Sequence, residues 1–177
     1  ASLKTVARWY NPLTPVCYLM FAAAGGLLAT LAMLALLGLP ITAALAQAGI
    51  VLMLSAWGVK LAWWRLAGMA RHAGSVETAT GLGHLGTVKP LMPPHTEENY
   101  LQHEMGFVVA RKHANKLRIF ALGLGVVLPI ILLLVAPASA AALGFAVLSH
   151  VAGMFVERWL FFAEAKHVVT LYYKGAA

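Results

Sequence analysis

Charged residues punctuate this chain at only a few places, and the gaps between them predict its architecture. From Trp9 to Val59 there is no Asp, Glu, Lys or Arg. Such a stretch is too long for one membrane span and suits two, since about 20 apolar residues cross the hydrocarbon core. Gly38-Leu39-Pro40 divides it, with a glycine able to end one helix and a proline able to open the next. Helices are therefore expected over about 13–38 and 41–64. A second charge-free block, Ile119 to Val156, is broken at Pro137-Ala138-Ser139, which predicts helices over about 119–136 and 140–172. At about 1.5 Å per residue the last of these would reach about 50 Å, so its final turns must leave the bilayer. The expected fold is all-α: an integral membrane helical bundle of four transmembrane helices in two hairpins, residues 1–64 and 119–177, joined by a loop over 65–118.

Composition agrees with this pattern. The chain of 177 residues is 61% hydrophobic and 11% charged, whereas a soluble domain is roughly 45–50% apolar and about a quarter charged. Its mean hydropathy is +0.80. A water-soluble bundle needs a polar stripe on each helix, and Phe21–Leu37 offers only Thr30. The first apolar run is also too long for the core of a signal peptide. A single cysteine, Cys17, excludes a disulfide framework, a four-cysteine zinc site and an iron–sulfur cluster held by this chain alone.

The net charge of +7 comes from 13 Lys and Arg against six Glu. It does not imply nucleic acid, because the cations are scattered through short segments between helices. Lys4 and Arg8 precede the first span. Lys60, Arg65, Arg71, Lys89, Arg111, Lys112, Lys116 and Arg118 run from the end of the second to the start of the third, and Arg158, Lys166 and Lys174 close the chain. Both hairpin loops are uncharged. With four crossings every cation falls on one side, which the positive-inside rule assigns to the cytoplasm, together with both termini and the middle loop. A basic surface built to dock an acidic partner would give the same pattern.

Within the loop, Gly74–Pro94 is rich in turn formers and contains Gly81-Leu82-Gly83-His84-Leu85-Gly86. This matches the spacing of a dinucleotide fingerprint, but that motif requires a preceding buried strand, and no strand alternation is present. Thr96, followed by Glu97 and Glu98, suits a helix N-terminus, and Asn99–Arg118 reads as an interfacial helix feeding the third span. Arg65, Arg71, Lys89, Arg111, Lys112, Lys116 and Arg118 are the candidates for interface anchoring or partner docking.

An ionisable group at membrane depth is a functional candidate by default. His150, Glu157 and Glu164 recur every seven residues of the last span and share a stripe with Met154 and Phe161, so this stripe is expected to face protein. His150 suits either a neutral imidazole bonded to another helix or a quinone-contacting, proton-relaying group. Glu157 and Arg158 point about 100° apart on a helix and are not expected to pair. Haem b is not expected, because His150 is the only histidine placed at depth to serve as an axial ligand. No metal site is expected either. Trp57, Trp63 and Trp64, with Tyr172 and Tyr173, sit where an interfacial aromatic belt would.

The run Glu157-Arg158-Trp159-Leu160-Phe161-Phe162-Ala163-Glu164-Ala165-Lys166-His167-Val168-Val169, with Leu171-Tyr172-Tyr173, resembles the C-terminus of the dimethyl sulfoxide reductase anchor-subunit family. Pro93-Pro94-His95-Thr96-Glu97-Glu98-Asn99-Tyr100, Glu104-Met105-Gly106-Phe107, Ala110-Arg111-Lys112-His113-Ala114, Ser2-Leu3-Lys4-Thr5 and Trp9-Tyr10-Asn11-Pro12-Leu13 resemble one branch, the anchors of cytoplasm-facing sulfite dehydrogenases. The resemblance implies a non-catalytic inner-membrane subunit. It would hold an iron–sulfur subunit and a molybdopterin catalytic subunit on the bilayer and exchange electrons with ubiquinone or menaquinone. Clusters and molybdopterin would lie only in those partners, and nothing would be covalently bound to this chain. Members have about eight helices, of which this chain matches the last four, and their quinone-reactive residues tend to lie in the first half. His150, Glu157, Glu164 and His167 are the candidates for quinone contact or proton relay. The rival readings are a small transporter or channel with His150 and Glu157 on its pathway, and a purely structural hairpin pair. Substrate, quinone type and direction of electron flow are not encoded here.

Overall fold

The computed structural model describes residues 6, 8–69, 75–89, 91 and 112–165. Every regular element among them is helical. They are α1 (Leu13–Leu36), α2 (Ala43–Met69), the short α3 (Val76–Thr80), α4 (Ala114–Val135) and α5 (Ala140–Ala163). Helices α1, α2, α4 and α5 are each long and apolar enough to cross a bilayer, and the chain is a multi-pass membrane protein. The proposed interfacial helix over Asn99–Arg118 lies outside the described residues up to Arg111, as does Thr96. Helix α5 ends at Ala163, capped by Glu164 and short of the expected 172, and residues beyond 165 lie outside the described residues. The glycine run after α3 is exposed, and no strand precedes it among the described residues.

Local signals set the helix ends. At the start of α1 the Leu13 N–H donates to Asn11 Oδ1 at 2.9 Å. At its end the Leu39 N–H donates to the Leu34 carbonyl (2.9 Å) and the Gly38 N–H to that of Ala35 (3.2 Å). Gly38 has φ of 66°, a left-handed conformation that glycine adopts without penalty, so this is a Schellman closure. Thr42 Oγ1 accepts from the Leu45 N–H at the start of α2, and Ser139 Oγ from the Ala142 N–H at the start of α5. Hydroxyls on the lipid-facing surface turn back onto their own helix: Thr30 donates to the Gly26 carbonyl and Ser55 to that of Val51. This leaves neither hydroxyl unpaired in hydrocarbon.

Helix α1 packs along α2 and α5, α5 packs along α4, and α2 meets α4 more lightly. The two hairpins thus join chiefly through α1 on α5. The fit between α4 and α5 depends on a break in α4, where Gly123–Val127 forms a π turn. The Leu128 N–H bonds the Gly123 carbonyl instead of that of Leu124. Pro129 follows, with no N–H to offer. The carbonyls of Leu124 and Gly125 therefore lose the helical donors they would have in a straight α-helix, and neighbouring helices supply replacements. Ser149 Oγ donates to Leu124 O at 2.7 Å. Gly125 O accepts from His150 Nδ1 at 2.7 Å and from Trp57 Nε1 at 3.2 Å. One irregular turn of α4 is in this way tied to both α5 and α2.

The same place is where backbones come closest. A Cβ on Gly153 of α5 would lie 2.4 Å from the Gly125 nitrogen, and one on Gly125 would lie 2.3 Å from the Trp57 ring. A side chain at Gly153 meets backbone, which cannot swing aside. Gly153→Val is expected to destabilise the bundle by about 1–3 kcal/mol, as overpacking does. Gly144→Ala on the same helix, whose added Cβ meets nothing within 4 Å, should leave stability nearly unchanged. Thermal melts of both variants in detergent check this.

Candidate functional site

Helix α5 carries its polar residues inward. His150, Glu157 and Glu164 are all buried, and Glu157 is fully so, at 0% exposure. An ionised carboxylate in that position needs countercharges, and two are present. Lys60 Nζ of α2, itself only 1% exposed, pairs with Glu157 Oε1, and Arg158 Nε donates to Oε2. The expectation that Glu157 and Arg158 do not pair is overturned. Their Cβ atoms diverge, but the arginine stem is long enough to curl its guanidinium back over the neighbouring carboxylate. Lys60, which counted among the cations of the polar end, is a member of the buried cluster instead.

Aromatic rings wall this cluster. Lys60 Nζ lies 3.7 Å from the Trp63 ring centroid and 5.4 Å from that of Phe161. The Arg158 guanidinium lies 4.3 Å from the Tyr18 ring and 5.0 Å from Phe161, where cation–π attraction adds to the ion pairs. Trp57, Trp63 and Trp64 are buried in the bundle, which corrects their assignment to an interfacial belt. Helix α2 runs on to Met69, so these indoles lie deeper than expected. Two of their N–H groups find protein acceptors. That of Trp57 bonds Gly125 O, and Trp63 Nε1 donates to Thr14 Oγ1 (2.9 Å), which in turn donates to the Trp9 carbonyl (3.0 Å).

A second cluster lies one heptad along α5. Arg118 Nη2 of α4 meets Glu164 Oε1 at 2.6 Å, and Arg8 Nη2 meets Oε2 at 3.3 Å. Arg8 also donates to the Glu164 carbonyl. Next to it in sequence, Trp9 Nε1 donates to the Phe161 carbonyl, and its ring stacks on Phe161 with centroids 5.3 Å apart and planes at 4°. The segment before α1, the start of α4 and the end of α5 are thereby fastened at one end of the bundle. Glu157 and Lys60 lie toward that same end.

His150 stands apart, deeper in the bundle. Its Nδ1 faces the Gly125 carbonyl, which can only accept, so Nδ1 carries a proton and a neutral ring would have its lone pair on Nε2. Nε2 faces Gly25 of α1. Of the candidate docking cations, Arg65, Lys89, Lys112 and Lys116 lie outside both clusters, while Arg118 is engaged with Glu164. Arg71, Arg111 and His167 lie outside the described residues.

The charge cluster makes an asymmetric prediction. Glu157→Gln strands Lys60 and Arg158 without their shared countercharge and is expected to cost about 3–5 kcal/mol, the penalty for breaking a buried pair. Lys60→Met leaves Glu157 still paired with Arg158 and should cost less. Unfolding of the two variants in mixed micelles, scored against wild type, gives the order; equal losses would remove Arg158 as a partner.

Comparison with known proteins gives a distant relationship. The chain is 28% identical, over 181 aligned positions that cover all of it, to a sulfite dehydrogenase subunit of Allochromatium vinosum. It spans 55% of that protein's length. No protein-family profile matches the chain, and no solved structure matches it.

Proposed function

We propose that this chain is part of the membrane subunit of a sulfite dehydrogenase complex, of the dimethyl sulfoxide reductase anchor type, and that it brings an iron–sulfur partner and the quinone pool together so that electrons pass between them. The observation behind this reading is the similarity to a sulfite dehydrogenase subunit along the whole chain, in a four-span bundle with a basic end. The bundle supplies no redox centre in this proposal. It fixes a surface on which an iron–sulfur subunit rests, and a molybdopterin subunit beyond that performs the substrate chemistry. A quinone near the same end, ubiquinone or menaquinone, would receive the electrons. Lys112 and Lys116 at the head of α4 would steer and hold an acidic partner face. By the positive-inside rule this end faces the cytoplasm of a bacterial inner membrane.

The candidate proton groups divide by their contacts. Both oxygens of Glu157 and both of Glu164 are taken by cations, which suits them to fixing charge. His150, whose Nε2 faces Gly25 and no charged group, is left in this reading, with His167, as a candidate for proton exchange. A transporter reading would draw on the π turn, because broken helices at depth are the hallmark of such proteins. The freed carbonyls here are occupied by Ser149, His150 and Trp57, which favours the anchor.

In mild detergent the chain is expected to co-purify with iron and molybdenum and to support sulfite-dependent quinone reduction. A chain that purifies alone with neither metal would defeat the proposal. Reversing two charges, Lys112→Glu with Lys116→Glu, should weaken retention of the iron–sulfur partner by about tenfold or more, since like charges across an interface are strongly unfavourable. Pull-down across a salt series measures it.

A further inference from the structure

The charges around Glu157 do not cancel. One carboxylate serves two cations, and Lys60, which is sealed inside the bundle, already balances it. Arg158 has no other acidic partner among the described residues. Unlike Lys60, its side chain is 21% exposed. It emerges between α1 and α5 over the ring of Tyr18, which is itself 44% exposed, with the half-exposed Trp159 next along α5.

Depth decides what can answer this charge. Helix α5 has 24 residues, about 36 Å against a hydrocarbon core of about 30 Å, and Arg158 lies about 7–8 Å short of its end. With the helix centred on the bilayer, the Arg158 Cα therefore lies about 5 Å below the headgroup boundary, a depth that an arginine stem can span. A partly exposed arginine there draws polar groups inward, and the group that a bilayer can supply is a lipid phosphate. We propose that Arg158 and Tyr18 form a binding site for the phosphate of an anionic phospholipid headgroup. Arg158 provides the net charge, the Tyr18 hydroxyl a second donor, and Tyr18 and Trp159 the amphipathic rings common at this level. The inference depends on the membrane-spanning fold and not on which complex the subunit joins.

Native mass spectrometry of the full chain in dodecyl maltoside, titrated separately with phosphatidylglycerol, phosphatidylcholine and inorganic phosphate, tests it. Phosphatidylglycerol should bind about fivefold tighter than phosphatidylcholine, whose headgroup has no net charge; this ratio corresponds to the ~1 kcal/mol that one arginine contributes toward anionic lipid. Arg158→Gln should abolish the preference and Arg158→Lys retain part of it. Because Arg158→Gln also touches the Glu157 cluster, Tyr18→Phe serves as a second variant: it keeps the ring under the guanidinium, removes only the hydroxyl, and should weaken phosphatidylglycerol binding with no change in melting temperature. Equal binding of the two lipids, an undiminished preference in Arg158→Gln, or unaltered phosphatidylglycerol binding in Tyr18→Phe would overturn the proposal. Displacement of the lipid by inorganic phosphate at matching concentration would overturn it too, by making this a site for the free ion.

Discussion

In hydrocarbon a backbone or side-chain polar group without a partner costs several kcal/mol, and the most specific contacts in this bundle answer that constraint. The π turn and Pro129 take helical donors away from the Leu124 and Gly125 carbonyls. Three side chains on two other helices return them. What would be a flaw in an isolated span becomes the point at which α2, α4 and α5 are held in register. Dispersion between apolar surfaces cannot do this alone, because lipid tails are as apolar as leucine. The glycine-on-glycine approach of α4 and α5 at the same level adds close packing to the directional bonds.

Toward one end of the bundle the same constraint is met with charge. Each buried glutamate is shared by two cations from different parts of the chain, except that Arg158 adjoins its own partner in sequence. Glu164 gathers the entry to α1, the head of α4 and the tail of α5, and Glu157 ties α2 to α5. A surface meant to receive another subunit gains from such bracing, since the helix ends that carry it cannot splay independently. The aromatic walls around Lys60 and Arg158 exclude water and so strengthen the pairs they enclose.

The four spans were legible in the sequence because charge-free runs of this length have few other physical explanations. The inward stripe of His150, Glu157 and Glu164 was legible from heptad spacing alone. Lys60 was misplaced because it precedes Arg65 and looks like the first of the polar-end cations. The signal that would have found it was Glu157, an acid in an apolar span that required a cation at similar depth on another helix. The three tryptophans mislead for a related reason: distance to an expected helix end suggests an aromatic belt, and α2 continues past that end. Backbone angles argue against pairing of Glu157 with Arg158 because they describe Cβ directions and not the reach of an arginine. The π turn left only a faint trace, Gly123-Leu124-Gly125 ahead of Pro129, since the identity of the replacement donors is a tertiary matter.

Ala121 and Leu133 of α4 are both buried, although they stand twelve positions apart. On an unbroken α-helix that separation would rotate one about 120° from the other. The π turn absorbs one extra residue, which withdraws about 100° and leaves the two within about 20°. The wide turn therefore acts as a phase corrector. It lets both ends of a single span show their apolar side to the same neighbours, at the cost of fixing its length residue by residue.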